Sequence, residues 1–146
     1  MQNLFRTTVL LIITLLFGTV LGQVNYNTTL IGRWANGPCY AVDVAGNIAC
    51  FNNGAYLEVV DIADPANPVE LGKVLMPSVA EGIAVSGNYA YVADGSDGLR
   101  IINITDPTDP IESGYYDTGD FAYDVAVSGN YAYVADGSDG LRIINI

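Results

Sequence analysis

Histidine is absent from this 146-residue chain, and cations are few: 5 Lys and Arg stand against 16 Asp and Glu. Without His there is no Ser-His-Asp or Cys-His nucleophilic system and no imidazole ligand for a metal. Clustered phosphate contacts cannot be built from so few cations, which argues against nucleic acid and anionic membrane surfaces as partners. No Glu-to-Lys ladder runs at helical spacing, and the glycines do not form a P-loop or a dinucleotide fingerprint followed by a helix. Cysteine is scarce as well, with only Cys39 and Cys50. An oxidising compartment would permit a bridge between them, but Gly46-Asn47 reads as the hairpin turn that separates them. That turn sets Cys50 opposite Asp43 or a neighbour and leaves Cys39 roughly 13 Å further along the strand, at about 3.3 Å per residue. A disulfide needs Cα atoms within about 7 Å. Two buried, free thiols are therefore expected.

Half of the chain is apolar (51%), and 10 Tyr and 16 Gly accompany abundant Val and Ile. This is the composition of strands and tight turns. The first residues stand apart from it. Arg6 supplies a short positive region, Val9 to Phe17 form an apolar run broken only by Thr14, and Val20 and Gly22 are small residues at the offsets of a cleavage site. The run is shorter than the about 20 apolar residues of a membrane span. No Cys ends it, which argues against a lipoprotein signal. Residues 1–22 are expected to be a cleaved secretory signal helix, so the product is exported, secreted or at the cell surface, with no stable membrane insertion after cleavage.

Internal repetition dominates the remainder. Residues 84–104 and 126–146 both read AVSGNYAYVADGSDGLRIINI, a perfect copy at a spacing of 42. A diverged copy starts at Gly46, one residue shorter in its Asn53-Gly54 turn, and places Asp64-Pro65 and Gly72 in register with Asp106-Pro107 and Gly114. A half-copy, LIGRW (30–34), matches ELGKV (70–74) and ESGYY (112–116). Each unit reads as four short strands: Tyr123–Ser128, a Gly129-Asn130 turn, Tyr131–Ala135, the Asp136–Gly140 turn and Leu141–Ile146. In the second copy the prolines of 105–110 break the chain before a fourth strand at Ile111–Tyr116. Tyr131 and Tyr133 lie on one side of the inner strand and Ala132 and Val134 on the other, so both faces are apolar and burial between like sheets is expected. Four strands in about 42 residues is the unit of a propeller blade, whereas a β-solenoid has shorter coils. The fold class is therefore an all-β, partial β-propeller of four-stranded antiparallel blades. Its leading strand falls at about 30–34, with repeats at 46–86 and 87–128 and a truncated one at 129–146.

The segments YLEVVDIADPANPVELG (56–72), LRIINITDPTDPIESG (99–114) and YDVAVSGNYAYVADG (123–137) resemble the LVIVD repeat family. Leu57-Glu-Val-Val-Asp61 fits the family's strand best, while Asn103 and Asn145 stand where the family has Asp. The resemblance implies β-propeller blades in exported or cell-surface proteins of bacteria and archaea, with no particular ligand or reaction. The chain stops inside a third unit. A reading frame cut short, a deliberately short piece and a protomer that closes by oligomerising through its exposed blade edges are the three explanations, and the terminal duplication favours the first.

The remaining candidates for chemistry are weighed against plainer roles. Asp94-Gly-Ser-Asp97-Gly and its copy at Asp136 and Asp139 alternate oxygen ligands around Gly, as calcium sites do. The first copy lacks both carboxylates, so turn residues satisfying backbone N–H groups are the preferred reading. Asn27-Thr-Thr and Asn103-Ile-Thr match the glycosylation sequon by chance. Trp34, Tyr115 and Tyr116 could line a sugar or peptide surface, but wedging between blades is preferred. No catalytic residue, cofactor or metal ligand is assigned. The expected function is a non-catalytic interaction or structural scaffold for an unidentified protein or glycan. The alternative is the N-terminal fragment of an extracellular propeller hydrolase or lyase whose active site lies in other blades.

Overall fold

A computed structural model describes residues 28–146; the signal segment at 1–22 lies outside the described residues. The chain divides into Met1–Leu30 and Ile31–Ile146. Of the first unit, residues 28–30 are described and carry no regular structure. The second unit is all-β: three antiparallel meanders with only a single turn of 3-10 helix at Gly137–Asp139 among the described residues. The first sheet joins β1 (Val42–Ala45), β2 (Ile48–Asn53), β3 (Tyr56–Asp61) and β4 (Val69–Leu75) in chain order. The second repeats that order with β5 (Gly82–Ser86), β6 (Tyr89–Ala93), β7 (Leu99–Asn103) and β8 (Ile111–Tyr116). The third holds β9 (Ala122–Ser128), β10 (Tyr131–Asp136) and β11 (Gly140–Asn145).

Each sheet thus begins one strand before the Gly-Asn turn used to count the sequence repeats. Units at 46–86 and 87–128 cut every sheet inside its first hairpin. The sheets run over 42–75, 82–116 and 122–145, because the Gly-Asn turn joins two strands of one sheet rather than two sheets.

Local chemistry accounts for the connections. Gly46, Gly87 and Gly129 open the two-residue hairpins at φ near +60°, with open space where a Cβ would stand. The Asp-Pro turns close alike: Asp64 Oδ1 accepts from the Ala66 N–H at 3.0 Å, and Asp106 Oδ1 accepts from the Thr108 N–H at 2.9 Å. A bulge falls between Val59 and Val60 in the first sheet and between Ile101 and Ile102 at the matching place in the second.

Strand alternation sorts side chains to opposite faces. In the second sheet Ala90, Val92, Ile83 and Ile102 meet Cys50, Leu57 and Val59 of the first sheet. The opposite face, with Ala84, Tyr91, Ala93 and Leu99, meets Val125, Ala132 and Val134 of the third. The second sheet is apolar on both sides because it has a sheet on both sides. Trp34 caps the other face of the first sheet with its ring edge-on to Phe51, centroids 6.1 Å apart.

Three expectations are corrected. Residues 30–34 form no strand, because no neighbouring strand among the described residues is placed to pair with them. Ile31–Trp34 still occupies the fourth-strand position: a Cβ on Gly32 would lie 2.0 Å from the Pro65 carbonyl oxygen, as one on Gly72 would lie 2.7 Å from that of Pro107. Tyr115 and Tyr116 do not wedge between sheets but stand 66% and 48% exposed, since β8 is an outer strand. Cys50 is buried and free as expected, whereas free Cys39 is exposed in the segment preceding β1. Asp43 does stand opposite Cys50.

Gly72 and Gly114 share a repeat position but not an environment. At Gly114 the nearest atom to an added Cβ is Ile101 Cδ1 at 3.8 Å, ordinary contact. Gly72→Ala is expected to cost about 1–3 kcal/mol through backbone overpacking. Gly114→Ala should stay within about 0.5 kcal/mol of the parent, since a strand alanine loses less entropy on folding. Urea unfolding of both variants checks the contrast. Burial and the Asp43 charge push the Cys50 thiol up to about 12, so it holds almost no thiolate at neutral pH. Native protein should take up one equivalent of iodoacetamide, at Cys39, and a second only in denaturant, as read by mass spectrometry.

Candidate functional site

The first strands of the three sheets, β1, β5 and β9, lie side by side. Asp43 straps the first two together: its Oδ1 accepts from the Val44 N–H at 2.8 Å and its Oδ2 from the Val85 N–H of the next sheet at 2.7 Å. The second and third approach so closely that a Cβ on Gly82 would lie 2.5 Å from the Asp124 Cα, which is why that position is Gly. Along these inner strands a cleft of about 490 Å³ opens, lined by Tyr40, Val42, Glu81, Ile83, Tyr123 and Asp124 with the backbone of Ala41 and Gly82. Two phenols and two carboxylates stand beside Val42 and Ile83 in a mostly polar lining, and no cation is among the lining residues. Such a surface accepts hydroxyl, amide or cationic groups and repels anions. Asp124 Oδ1 accepts the Val125 N–H at 2.9 Å. The start of β1 is held by buried Asn52, whose Oδ1 accepts the Tyr40 and Ala41 N–H groups at 2.6 and 2.8 Å.

Tyr40, Glu81 and Tyr123 occupy one repeat position, and Ala41, Gly82 and Asp124 the next. These residues lie just upstream of the repeated segment; the first position reads Tyr, Glu, Tyr and the second Ala, Gly, Asp. None was singled out from the sequence; the signal that could have found them is variation beside an otherwise identical repeat.

The Asp-Gly-Ser-Asp-Gly turns follow the second strands at the same end as the cleft, since Ala93 pairs with Gly82 and Asp136 with Ala122, and their carboxylates bond within the protein. Asp94 is fully buried and its Oδ2 accepts the Ser78 N–H at 3.1 Å, while Asp97 pairs with Arg100 at 3.2 Å. In the third sheet Asp136, also fully buried, pairs with Arg142 Nε at 3.0 Å, and Asp139 pairs with the same guanidinium. The matching pair in the first sheet is Asn53 Nδ2 donating to Glu58 Oε1 at 2.6 Å, so acid and donor exchange strands. No group of three or more Cys, Asp or Glu converges as metal ligands among the described residues.

Identical turns also differ locally. In the second sheet Gly95 bridges to Ala122 of the third. In the third sheet the turn winds into the 3-10 turn, and Asp120 accepts from both the backbone and hydroxyl of Ser138. These bonds hold the Asp120 carboxyl below its usual range. Arg100 lies 4.9 Å above the Tyr115 ring and Trp34 lies on Phe51, so two of the three aromatics singled out from the sequence make local contacts. Asn103 ends β7, where its Oδ1 accepts the Thr105 N–H at 2.8 Å; Asn27 lies outside the described residues.

The LVIVD repeat family matches residues 36–76, 78–118 and 119–146, a span that begins near β1 and takes in each sheet in turn. The chain belongs to the LVIVD repeat family, and its repeats indicate a propeller-type repeat domain. No curated protein matches it. Among solved structures, the computationally designed Ika4 protein is similar at 12% identity, covering 82% of this chain and 98% of its own, with a TM-score of 0.46.

Burial raises the Asp94 carboxyl above its ordinary value against the bond from Ser78, and its Oδ1 has no partner. A raised acid favours folding while protonated, and the stability is lost as pH rises from the unfolded value of about 3.9 through the folded one. Asp94→Asn keeps an acceptor for Ser78, leaves Arg100 its pairs with Asp97 and Glu112, and adopts the Asn of the first sheet. It should stabilise by roughly 1 kcal/mol at pH 7, the scale of a buried polar mismatch. The gain should shrink toward pH 3, as measured by thermal unfolding across pH.

Proposed function

We propose that this chain is an exported LVIVD-repeat scaffold that binds a protein or glycan through its inner-strand cleft and adjoining loops, without catalysing a reaction. The observation that carries this reading is the division of labour among the acidic residues. Asp43, Glu58, Asp94, Asp120 and Asp136 bond to backbone N–H groups, Asn, Ser or Arg. The cleft meanwhile carries Glu81 and Asp124, at repeat positions that read Tyr, Glu, Tyr and Ala, Gly, Asp. Phenols beside carboxylates suit sugar hydroxyls and peptide amides. The scarcity of cations supports a partner other than nucleic acid. Export rests on the signal pattern of residues 1–22, and a secreted or cell-surface location follows from it.

Two measurements test the proposal. Sequencing the N-terminus of protein recovered from the medium or cell surface should begin at Gln23; an uncleaved intracellular product would overturn export. The purified protein should be retained by members of a glycan or peptide array, with retention lost in Tyr123→Ala and Glu81→Gln. It should show no turnover of p-nitrophenyl ester and glycoside panels above buffer. Turnover abolished by Glu81→Gln would make it an enzyme instead.

A further inference from the structure

The chain seats its own cations in a recurring way. Arg100 stands between two carboxylates, Asp97 at 3.2 Å and Glu112 at 3.4 Å, and its guanidinium carbon lies 4.9 Å from the centre of the Tyr115 ring. Lys73 in the first sheet combines the same groups, with Glu70 at 3.1 Å and the Tyr56 ring at 5.7 Å. The chemistry is general: carboxylates bond the N–H edges of a guanidinium, and a phenol ring attracts its weakly hydrated face.

The cleft along the inner strands holds the acceptor half of this arrangement. Glu81, Asp124, Tyr40 and Tyr123 all line it. Among the described residues no cation pairs with either carboxylate, since Lys73, Arg100 and Arg142 are bound to other acids. Sheet packing draws the two acidic positions together: Gly82, the neighbour of Glu81, approaches so closely that a Cβ on it would lie 2.6 Å from Asp124 Oδ1. That oxygen accepts the Val125 N–H, which fixes the carboxylate. The Tyr123 ring is held against Phe121, with centroids 4.8 Å apart. No third Cys, Asp or Glu joins them as a metal ligand among the described residues. Uncompensated carboxylates in a concave site focus a negative potential, which draws in an organic cation.

We propose that the cleft binds an arginine side chain of a partner peptide, seated as Arg100 is seated beside Asp97, Glu112 and Tyr115. This rests on the cleft being the binding surface and names its partner as a peptide rather than a glycan. A guanidinium satisfies two carboxylates and offers a flat face to the phenols at once, whereas a neutral sugar hydroxyl leaves the negative charge in place.

The test is an NMR titration of the full chain with end-blocked glycine pentapeptides carrying one central arginine or its uncharged isostere citrulline. The arginine peptide should bind about tenfold more tightly than the citrulline peptide, with shifts centred on the amides of β1, β5 and β9. Glu81→Gln and Asp124→Asn keep the side-chain shapes, and an Asn Oδ1 can still accept the Val125 N–H. Each should weaken the arginine peptide by about tenfold. Tyr123→Phe keeps the ring face and should bind normally, while Tyr123→Leu should not. Asp109→Asn removes the same charge from an exposed turn outside the cleft and should change nothing. An equal loss in Asp109→Asn would show diffuse attraction to an acidic surface and overturn the proposal. Equal binding of the citrulline peptide, or no peptide binding by protein that still retains glycans through Tyr123, would overturn the arginine assignment and leave the cleft as the binding surface. Retention of no peptide and no glycan would remove both.

Discussion

A sheet whose central strands are apolar on both faces cannot be stable by itself, and this constraint organises everything else in the chain. β6 sends Ala90 and Val92 to one side and Tyr91 and Ala93 to the other. Only a sheet stacked on each side removes both sets from water. Leu57, Val59, Leu99 and Ile102 are fully buried in these two interfaces, each worth about 1.5–3 kcal/mol relative to exposure. The alanines and Gly82 are as necessary as the larger residues, because they let neighbouring sheets close to contact distance.

Stacking also dictates how polar groups behave. Positions 53, 94 and 136 sit where the second strand runs into its turn, and positions 58, 100 and 142 face them from the third strand. Asn with Glu in the first sheet becomes Asp with Arg in the other two. The type of side chain changes, but a donor still meets an acceptor in the first and third sheets, since an unpaired charge there would carry a desolvation cost. In the second sheet Asp94 instead takes its bond from Ser78, because the chain leading into β5 passes over the turn. Carboxylates in such sites hold structure together.

Function is then left to the places that stacking does not standardise. The inner strands differ at Tyr40, Glu81 and Tyr123 and at Ala41, Gly82 and Asp124, and these residues line the cleft. A rigid repeat that varies at such positions can present a recognition surface without altering its stacking.

The sequence by itself determined the repeat, its four-strand period, the hairpin and Asp-Pro turns, and the family, because strand alternation and turn chemistry are local. It also placed Cys50 opposite Asp43 by counting from Gly46. The aromatics Tyr115 and Tyr116 were misjudged, since nothing local says that β8 is an outer strand. The repeat spacing connects Tyr40, Glu81 and Tyr123, but only the packing of the first strands side by side makes a cleft of them. Tertiary structure alone decided that AVSGNYAYVADGSDGLRIINI buries its leucine in one copy and exposes it in the other. Identical residues carry identical propensities, but burial belongs to whatever lies on the other side of the sheet.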